Sequence, residues 1–373
     1  MPIKGFKVFG KSIQDGIPTP DNPVPIVNVG DKGNIKVEMT GKNLWKFNKS
    51  FSSEVGRMKT FVKKGTPFIL PAGTYTFSCE GTLGNTDAPL FLILEDGTEI
   101  TACRILHNEV KPKKIFTIDK KAVSIEFVSS AAINTGGTIS NIQIETGTVF
   151  TQYEPYKTPQ TLTLKPPNGL PGIPVDSGGN YTDENGKQWV CDEIDLEHGK
   201  YVQRIKEIII DHDSRLNDKL ANYGAPEKTT IIRRFIDSDI KKNGALLCRE
   251  LPRIANWNSE NESVYPTETS IDFRITRERL GLGAETTTEE NSAAVLKYLE
   301  SHPLHCFAER SEPFEHDISL EIIEAYKTLH TNYPTTTVLN DAGAGMELTY
   351  IADTKNYVDA KIAGICTAIV KGV

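Results

Sequence analysis

Short runs of alternating polar and apolar residues, separated by turn residues, dominate the sequence between residues 44 and 156. The run Thr74–Cys79 alternates threonine or serine with tyrosine, phenylalanine or cysteine. This period of two is the pattern of a strand with one face buried. Leu90–Leu94 is a continuous apolar run that ends at the turn signal Asp96-Gly97. Because the segment has no helical period, it predicts one β-sandwich domain of the jelly-roll type over 44–156.

Proline-rich stretches lie on both sides of this predicted sandwich. The segment 1–43 carries four prolines within eight residues, which favour an extended backbone, so we predict an arm or connector lying across another part of the molecule. Segment 157–205 combines a second proline-rich linker with a β-meander, which is marked by the hairpin signal Asn185-Gly186. Segment 206–352 shows further strand patterns and is predicted to be a second β-rich domain.

Two helices are predicted within the second domain. Thr287 and Glu290 have the spacing of a capping box, and Ser319 is a candidate N-cap for the other helix. A third helix is predicted over 353–373. The predicted fold class is therefore mainly β: a jelly-roll β-sandwich followed by a second β-rich (α+β) domain with two short helices and a C-terminal helix.

The C-terminal end predicts two last strands before that helix. They are Thr335–Leu339 and Met346–Ile351, separated by a turn at Asn340–Gly343. In the predicted helix, four β-branched residues recur at the a/d spacing of a coiled coil: Val358, Ile362, Ile365 and Ile369. Such a stripe needs a surface to cover it. Either the helix folds back on its own domain, or it meets copies of itself in a homo-oligomer.

Composition argues against several classes of partner. The 42 basic and 49 acidic residues are interspersed and give a net charge of −7, whereas binding to nucleic acid needs a clustered basic face. No run approaches the roughly 18 apolar residues of a membrane span, and the start of the sequence shows no secretion signal. Six scattered cysteines without a CxxC pair suit buried free thiols better than a zinc site or a disulfide frame.

Residue patterns name no reaction. Asp211-His212-Asp213 follows an apolar run and suits a turn at a strand end better than a metal site. His302, His305 and Cys306 lack a second cluster that would complete four ligands. No nucleophile elbow, zinc-binding helix motif or phosphate-binding glycine loop occurs. We therefore expect no catalytic residues, no metal and no cofactor. A carboxylate pair for glycoside hydrolysis could be formed only by the fold, so a hydrolase stays an alternative.

Four stretches of the sequence stand out together: Gly10–Ile26 leading to Gly41–Leu44, Ile142–Gly147 with Tyr153–Tyr156, Leu170–Pro174 through Gly178–Asp183 to Tyr201–Arg204, and Asn340–Met346 through Ala352–Lys355. They resemble a pattern found in minor structural proteins of tailed phages and prophages of Gram-positive gut bacteria. The second stretch resembles the closing strand of the carbohydrate-binding-type jelly rolls in those proteins. The resemblance implies a tail, baseplate, fibre or receptor-binding protein of the virion.

The same resemblance sets the expected partners and location. The chain would be made in the cytoplasm of the bacterial host and would lie in the tail of the virion, among other tail proteins. It would belong to a symmetric assembly, with a homotrimer favoured, and would have no enzymatic activity. A host surface polysaccharide is the expected ligand. A purely structural adaptor without sugar binding and a tail-associated glycan hydrolase are the alternatives.

Candidate glycan-binding residues follow from the chemistry of sugars. Pyranose rings stack on exposed aromatic side chains, while Asp, Asn and Gln side chains bond to the hydroxyls. In the first sandwich the candidates are Trp45 and Tyr75, with Gln143 and Glu145 placed on one face by the resemblance of the closing strand. In the second body Trp257 lies in a polar stretch, where full burial is not expected. Packing in the core is the competing interpretation for the aromatic residues of the jelly roll.

Overall fold

The structure is a computed structural model that describes residues 3–31, 33–52, 59–83, 86–129, 137–213, 229–235, 238–254, 261–283, 286–332 and 335–350. Within these ranges the chain is mainly β, as predicted. The first four strands are β1 (Ile3–Phe9), β2 (Ser12–Ile13), β3 (Val27–Asn28) and β4 (Ile35–Thr40).

Eight strands form the predicted jelly roll. They are β5 (Ser50–Ser52), β6 (Thr60–Leu70), β7 (Gly73–Thr82), β8 (Ala88–Leu94), β9 (Glu99–Ile105), β10 (Lys113–Ile118), β11 (Ala122–Val128) and β12 (Thr138–Thr146). They make two four-stranded antiparallel sheets, in the orders β10-β7-β12-β5 and β6-β11-β8-β9. Counted from β5 as the first strand, these orders are 6-3-8-1 and 2-7-4-5, the arrangement of two Greek keys in a jelly roll.

The core of the jelly roll lies between its two sheets. Phe77 on β7, Leu92 on β8 and Phe127 on β11 are fully buried there. Burial of each such side chain contributes about 1.5–3 kcal/mol to stability. The period of two in the sequence therefore corresponds to one face of each sheet in this core.

The rest of the described chain contains thirteen strands and two helices. They are β13 (Gln160–Leu164), β14 (Gly172–Val175), β15 (Tyr181–Thr182), β16 (Gln188–Cys191), β17 (Glu193–Asp195), β18 (Lys200–Ile210), β19 (Thr229–Phe235), β20 (Leu246–Cys248), β21 (Ser263–Pro266), β22 (Ser270–Thr276), α1 (Thr288–Ser301), β23 (Leu304–Asp317), α2 (Leu320–Thr328), β24 (Thr337–Asn340) and β25 (Gly345–Tyr350).

A second sandwich is built from both ends of the described chain. Its larger sheet has the order β20-β23-β18-β17-β1-β25, and its smaller sheet has the order β13-β4-β24. Phe6 and Val8 from β1 and Val37 and Met39 from β4 are fully buried in the core between them. Segment 1–43 was predicted to be an arm or connector; this is wrong for β1 and β4, whereas the proline-rich stretch between β2 and β3 does lie across another part of the molecule. The alternating apolar residues of β1 and β4 make both strands central members of sheets.

The two last strands are present but do not pair with each other. β24 pairs with β4 in the smaller sheet, and β25 pairs with β1 in the larger sheet. The turn between them is shaped by Asn340, whose Nδ2 donates to the carbonyl of Ala344 and whose Oδ1 accepts from the N–H of Ala344. The turn therefore carries the chain across the edge of the sandwich from one sheet to the other.

Both predicted internal helices are present. α1 has the predicted capping box between Thr287 and Glu290, and it buries Val295 and Leu299 in a core shared with β18, β20, β22 and β23. α2 has Ser319 as its N-cap. It packs its buried Tyr326 on the core of the second sandwich. The predicted C-terminal helix over 353–373 lies outside the described residues.

The predicted boundary between 157–205 and 206–352 falls inside β18. Tyr201, near the start of that strand, packs in the core of the second sandwich, whereas Ile208 and Ile210 pack in the core with α1. One long strand thus serves two cores. Cys79, Cys103, Cys191, Cys248 and Cys306 are buried free thiols. Neither helix in the described part of the chain is long and apolar enough to cross a membrane.

Candidate functional site

The two candidate aromatic residues of the jelly roll are buried. Trp45 is 1% exposed, and its Nε1 donates to the carbonyl of Asn48 over 2.9 Å. Tyr75 is 2% exposed, and its hydroxyl donates to the carbonyl of Pro71 over 2.7 Å. Neither ring presents a face to a sugar. Their predicted role in glycan binding is corrected to packing in the core, where Tyr75 is directed inward from β7 and Trp45 from the segment before β5.

Gln143 and Glu145 do lie on one face of β12, opposite Ser78 and Thr76 of β7. That face is covered by residues 151–154, which we call the strap. The Glu145 carboxylate accepts hydrogen bonds from the backbone N–H and the hydroxyl of Thr151. Gln143 Oε1 accepts from the backbone N–H of Glu154 over 2.8 Å. The predicted polar face is therefore occupied by the chain itself, and its role in glycan binding is corrected to holding the strap.

Two residues that precede β5 fix the strap from the other side. Lys42 Nζ lies 3.0 Å from Glu154 Oε1. Asn43 Nδ2 donates to the carbonyls of Glu154 and Ile142 over 2.8 and 3.1 Å. Asn43 is 1% exposed, so these bonds are shielded from water. The strap is an integral part of the domain.

The other predicted site residues are outside the described ranges. Trp257 is the remaining candidate for glycan binding, and its contact with a sugar stays a prediction. The stripe of Val358, Ile362, Ile365 and Ile369 also lies beyond the last described residue, so its role in oligomerisation stays a prediction.

A groove lies on the second sandwich, near the point where β18 passes between the two cores. Its main part is a depression of about 610 Å³ lined by residues of the N-terminal segment, of the turn before β14, and of β18 and β23. A smaller depression of about 150 Å³ shares Ile26, Glu207 and Phe307 with the first, and extends to His305 and Arg249. We call the two adjoining depressions the groove.

The floor of the groove follows from the pairing of β18 with β23. Glu207 lies opposite Phe307, and Ile209 lies opposite His305. Because successive strand residues point to opposite faces, Ile208 is directed to the other side, into the core with α1. On the opposite face, Phe307 packs against a small buried cluster that includes Ile205, and Glu207 and Phe307 line the groove.

A large bulge gives the groove its depth. Gln203 pairs with Phe314, but Ile205 pairs with Glu309, so residues 310–313 of β23 lie opposite Arg204 alone. Extra residues of this kind bend a strand and redirect its side chains. Arg310, the first of them, is directed to the groove, and its Nη1 lies 3.1 Å from Asp239 Oδ2.

Asp192, which lies at the wall of the groove, supports this bulge. Its Oδ1 accepts from the backbone N–H groups of Arg204 and Ile205 over 2.7 and 2.9 Å, and its Oδ2 accepts from the Tyr201 hydroxyl over 3.1 Å. The side chain is 1% exposed. Burial raises the pKa of Asp192 to about 6, against the opposing effect of these hydrogen bonds. The Asp192 carboxyl thus accepts hydrogen bonds from backbone N–H groups at the position where the bulge interrupts the pairing of β18 with β23.

The N-terminal wall of the groove is held to the body by specific bonds. The N–H of Val24 donates to the carbonyl of Arg249 over 2.9 Å. Both carboxylate oxygens of Asp21 accept from Arg279, each over 2.7 Å, and these hydrogen bonds lower the pKa of Asp21. The predicted proline-rich segment does lie across another part of the molecule, and here it forms a fixed wall.

The opposite end of that wall depends on a glycine. Gly169 has a φ of +70°, and a side chain there would lie 2.7 Å from the carbonyl oxygen of Val29. Its neighbour Asn168 accepts a hydrogen bond from Asn28 Nδ2 over 3.2 Å. The turn before β14 therefore packs directly on β3, and the two segments line the groove together.

The groove suits a ligand rich in hydroxyl groups. It combines amides, carboxylates and cations: Asn28, Asn168, Gln203, Asp31, Glu207, Lys206 and Arg310. Each sugar hydroxyl both donates and accepts hydrogen bonds, so a mixed lining of this kind matches it. In the ranges that the structure describes, no group of three or more His, Cys, Asp or Glu side chains is placed to hold a metal ion.

The sequence analysis missed this groove. Its lining comes from segments that lie far apart in the sequence, from Pro25 to Arg310. Locally, Lys206 and Glu207 are only a charged pair that precedes the apolar run Ile208–Ile210. Comparison with models of known protein families and with curated proteins gave no match.

Proposed function

We propose that this protein is a non-enzymatic structural component of a tailed-phage virion that binds saccharides of the host surface in the groove. The proposal of saccharide binding rests on the groove, whose lining combines polar side chains with Phe307. The virion part rests on the resemblance of four stretches of the sequence to phage tail proteins. The jelly-roll strand order is consistent with the fold that this resemblance implies.

Phe307 is the aromatic residue on which we expect a pyranose ring to stack. It lies opposite Leu247 of β20 on one side and Glu207 of β18 on the other, so its position is fixed by two strands. It is half-buried and lines both depressions. An aromatic ring held in this way can stack on the apolar face of a pyranose at little cost in side-chain entropy.

The chemistry of the groove favours binding over hydrolysis. Glycosidases use two carboxyl groups that flank the scissile bond, one of them with a raised pKa. Asp192 is the carboxyl beside the groove whose pKa is raised, but both its oxygens are bonded within the protein and it is 1% exposed. Release of reducing sugar from host cell-wall material by the purified protein would overturn the non-enzymatic part of the proposal.

The proposed location is the tail tip, baseplate or fibre, in contact with other tail proteins. A homotrimer is the proposed assembly, and the stripe of the predicted C-terminal helix would support it. Replacing Ile362 and Ile365 with Asp should then lower the mass measured by sedimentation. An unchanged mass with lower stability would show instead that the helix packs within its own chain.

The saccharide part is tested by a glycan array followed by calorimetry with the bound glycans. Phe307→Ala should weaken binding at least about tenfold, because the stacking platform is lost. Phe314→Ala is the matched control, since Phe314 lies on the same strand, is 55% exposed and does not line the groove. Glu207→Gln tests the groove without changing its packing, and it should weaken binding several-fold.

Two results would contradict the saccharide part. One is a wild-type protein that binds no glycan on the array, which would favour the purely structural adaptor. The other is equal binding by the Phe307 and Phe314 variants, which would place the sugar elsewhere, with Trp257 as the next candidate.

A further inference from the structure

We infer that the groove binds an extended oligosaccharide in two connected subsites, one on each side of Phe307, and not a single sugar. This inference rests on the proposed function and concerns the same site. The polar subsite is the part lined by Asn28, Asn168 and Gln203. The histidine subsite is the part lined by His305 and Arg249.

Continuity between the subsites is the first argument. The two depressions share Ile26, Glu207 and Phe307, so they adjoin one another at these residues. Gln203 lines one end, and His305, which lies opposite Ile209, lines the other. Ile209 lies six positions beyond Gln203 on β18, which corresponds to roughly 20 Å of extended strand at about 3.3 Å per residue. A single pyranose ring would leave most of this length unfilled.

Preorganised hydrogen-bonding groups in the smaller subsite are the second argument. His305 Nδ1 lies 3.0 Å from Glu250 Oε1, and the backbone N–H of His305 donates to Glu250 Oε2 over 2.7 Å. Glu250 is 8% exposed, so this carboxylate orients the imidazole from inside the protein. With Nδ1 engaged, Nε2 is the ring nitrogen available to a sugar hydroxyl. A group already held in place loses little entropy on binding.

The nature of the lining favours a sugar chain over a peptide helix. An amphipathic helix needs a continuous apolar groove with anchor positions at helical spacing. Here the apolar residues, which include Pro25, Ile26, Ile205 and Phe307, lie among amide, carboxylate, imidazole and guanidinium groups. A lining that mixes the rings of Tyr201 and Phe307 with polar groups matches a chain of sugar units, each with an apolar face and a rim of hydroxyls.

The test is a series of oligomers, from one to six units, of the glycan that the wild-type full chain binds best on the array. Calorimetry should show affinity that rises with length and then reaches a plateau once both subsites are filled. His305→Ala should lower affinity for the long oligomers about fivefold to tenfold, the loss expected for one hydrogen bond, and should leave the shortest oligomer unaffected. Gln203→Ala should weaken binding of every length.

His330→Ala is the control, because His330 is exposed and does not line the groove. Circular dichroism during heating checks that each variant is folded. Affinity that does not change with oligomer length would overturn the two-subsite inference while leaving the proposed function intact. Absence of any bound glycan would instead overturn the proposed function, and the inference with it. If the protein bound an unmodified peptide and no glycan, and if Phe307→Ala abolished that binding, the occupant of the groove would be a peptide and not a sugar chain.

Discussion

The outer face of β12 in the jelly roll carries Gln143 and Glu145, and the groove face of β18 and β23 in the second sandwich carries Gln203, Glu207 and His305. On β12 these side chains are bonded to the strap, so the face is closed by its own chain. On β18 and β23 a bulge and a fixed proline-rich wall leave the face open as a groove. A polar face on a strand thus identifies a ligand site only when no segment of the chain returns to cover it.

The energetic roles of the two faces should differ in the same way. Changes beneath the strap should lower stability and leave ligand affinity unaltered. Changes in the lining of the groove should lower affinity and leave stability nearly unaltered. Three further substitutions test this difference between the strap face and the groove.

The largest effect is expected for Asn43→Ala. Besides its bonds to Glu154 and Ile142, Asn43 accepts from the backbone N–H groups of Trp45 and Ile144. Removing it leaves several buried polar groups without partners, so the free energy of unfolding should fall by about 4 kcal/mol in urea denaturation. Asn48→Ala, with an exposed side chain, is the control and should change it by less than about 0.5 kcal/mol.

Glycan affinity of the Asn43 variant, measured well below its unfolding midpoint, should equal that of the wild type. If affinity fell together with stability, the strap face would contribute to binding, and the contrast between the two faces would be wrong.

The next effect is a pH dependence at Asp192. Its pKa is about 6 in the folded protein and lies near 3.8 for an ordinary aspartate. The folded state therefore holds the proton more tightly, so through this group alone stability falls as pH rises from about 4 to 6, by about 3 kcal/mol. Asp192→Asn keeps an oxygen for Arg204 and Ile205 and removes the charge, so this slope should disappear.

The measurement is the difference in free energy of unfolding between the wild type and the Asn variant at pH 4, 5, 6 and 7. Carboxyls whose pKa is lowered, such as Asp195 and Glu262, contribute the opposite slope at lower pH, and the difference between the two proteins removes them. A difference that does not change with pH would show that Asp192 titrates normally and that the bulge is more exposed than described.

The smallest effect is expected for Asp21→Asn, which weakens the attachment of the proline-rich wall to Arg279. A less constrained wall loses more entropy when a ligand binds, so affinity should fall about twofold to fivefold. Asp176→Asn removes another exposed ion pair, with Lys187, outside the groove, and should leave affinity unchanged. Equal glycan affinities for the Asp21 and Asp176 variants would mean that the ion pair between Asp21 and Arg279 does not contribute to binding.

Parts of this fold that depend on local patterns could be predicted from the sequence. The alternation in Thr74–Cys79 predicted a strand with one buried face, and the spacing of Thr287 and Glu290 predicted the start of α1. In each case the physical cause lies within a few residues. The mainly β class and the jelly roll followed from repetition of such local signals.

Parts that depend on distant pairing could not be predicted. β1 pairs with β17 and β25, which lie far along the chain, and nothing in the local pattern of Ile3–Phe9 identifies those partners. The prolines that follow made the whole segment resemble an arm. The shared face of Gln143 and Glu145 was predictable, but the strap that covers it was not. The groove was missed for the same reason, since Asp192 and the bulge it supports meet only in the folded chain.

The pairing of β1 with β25 has a consequence for synthesis on the ribosome. Phe9 meets Gly345, and Ile3 meets Tyr350, so the larger sheet cannot be completed until about 340 residues beyond β1 have been made. At 5–20 residues per second, this corresponds to a delay of roughly 20–70 s. The jelly roll contains all its own strands and can fold while the rest is translated. During that interval Phe6 and Val8 lack the sheet that buries them, which makes the first strand the segment most in need of protection from aggregation.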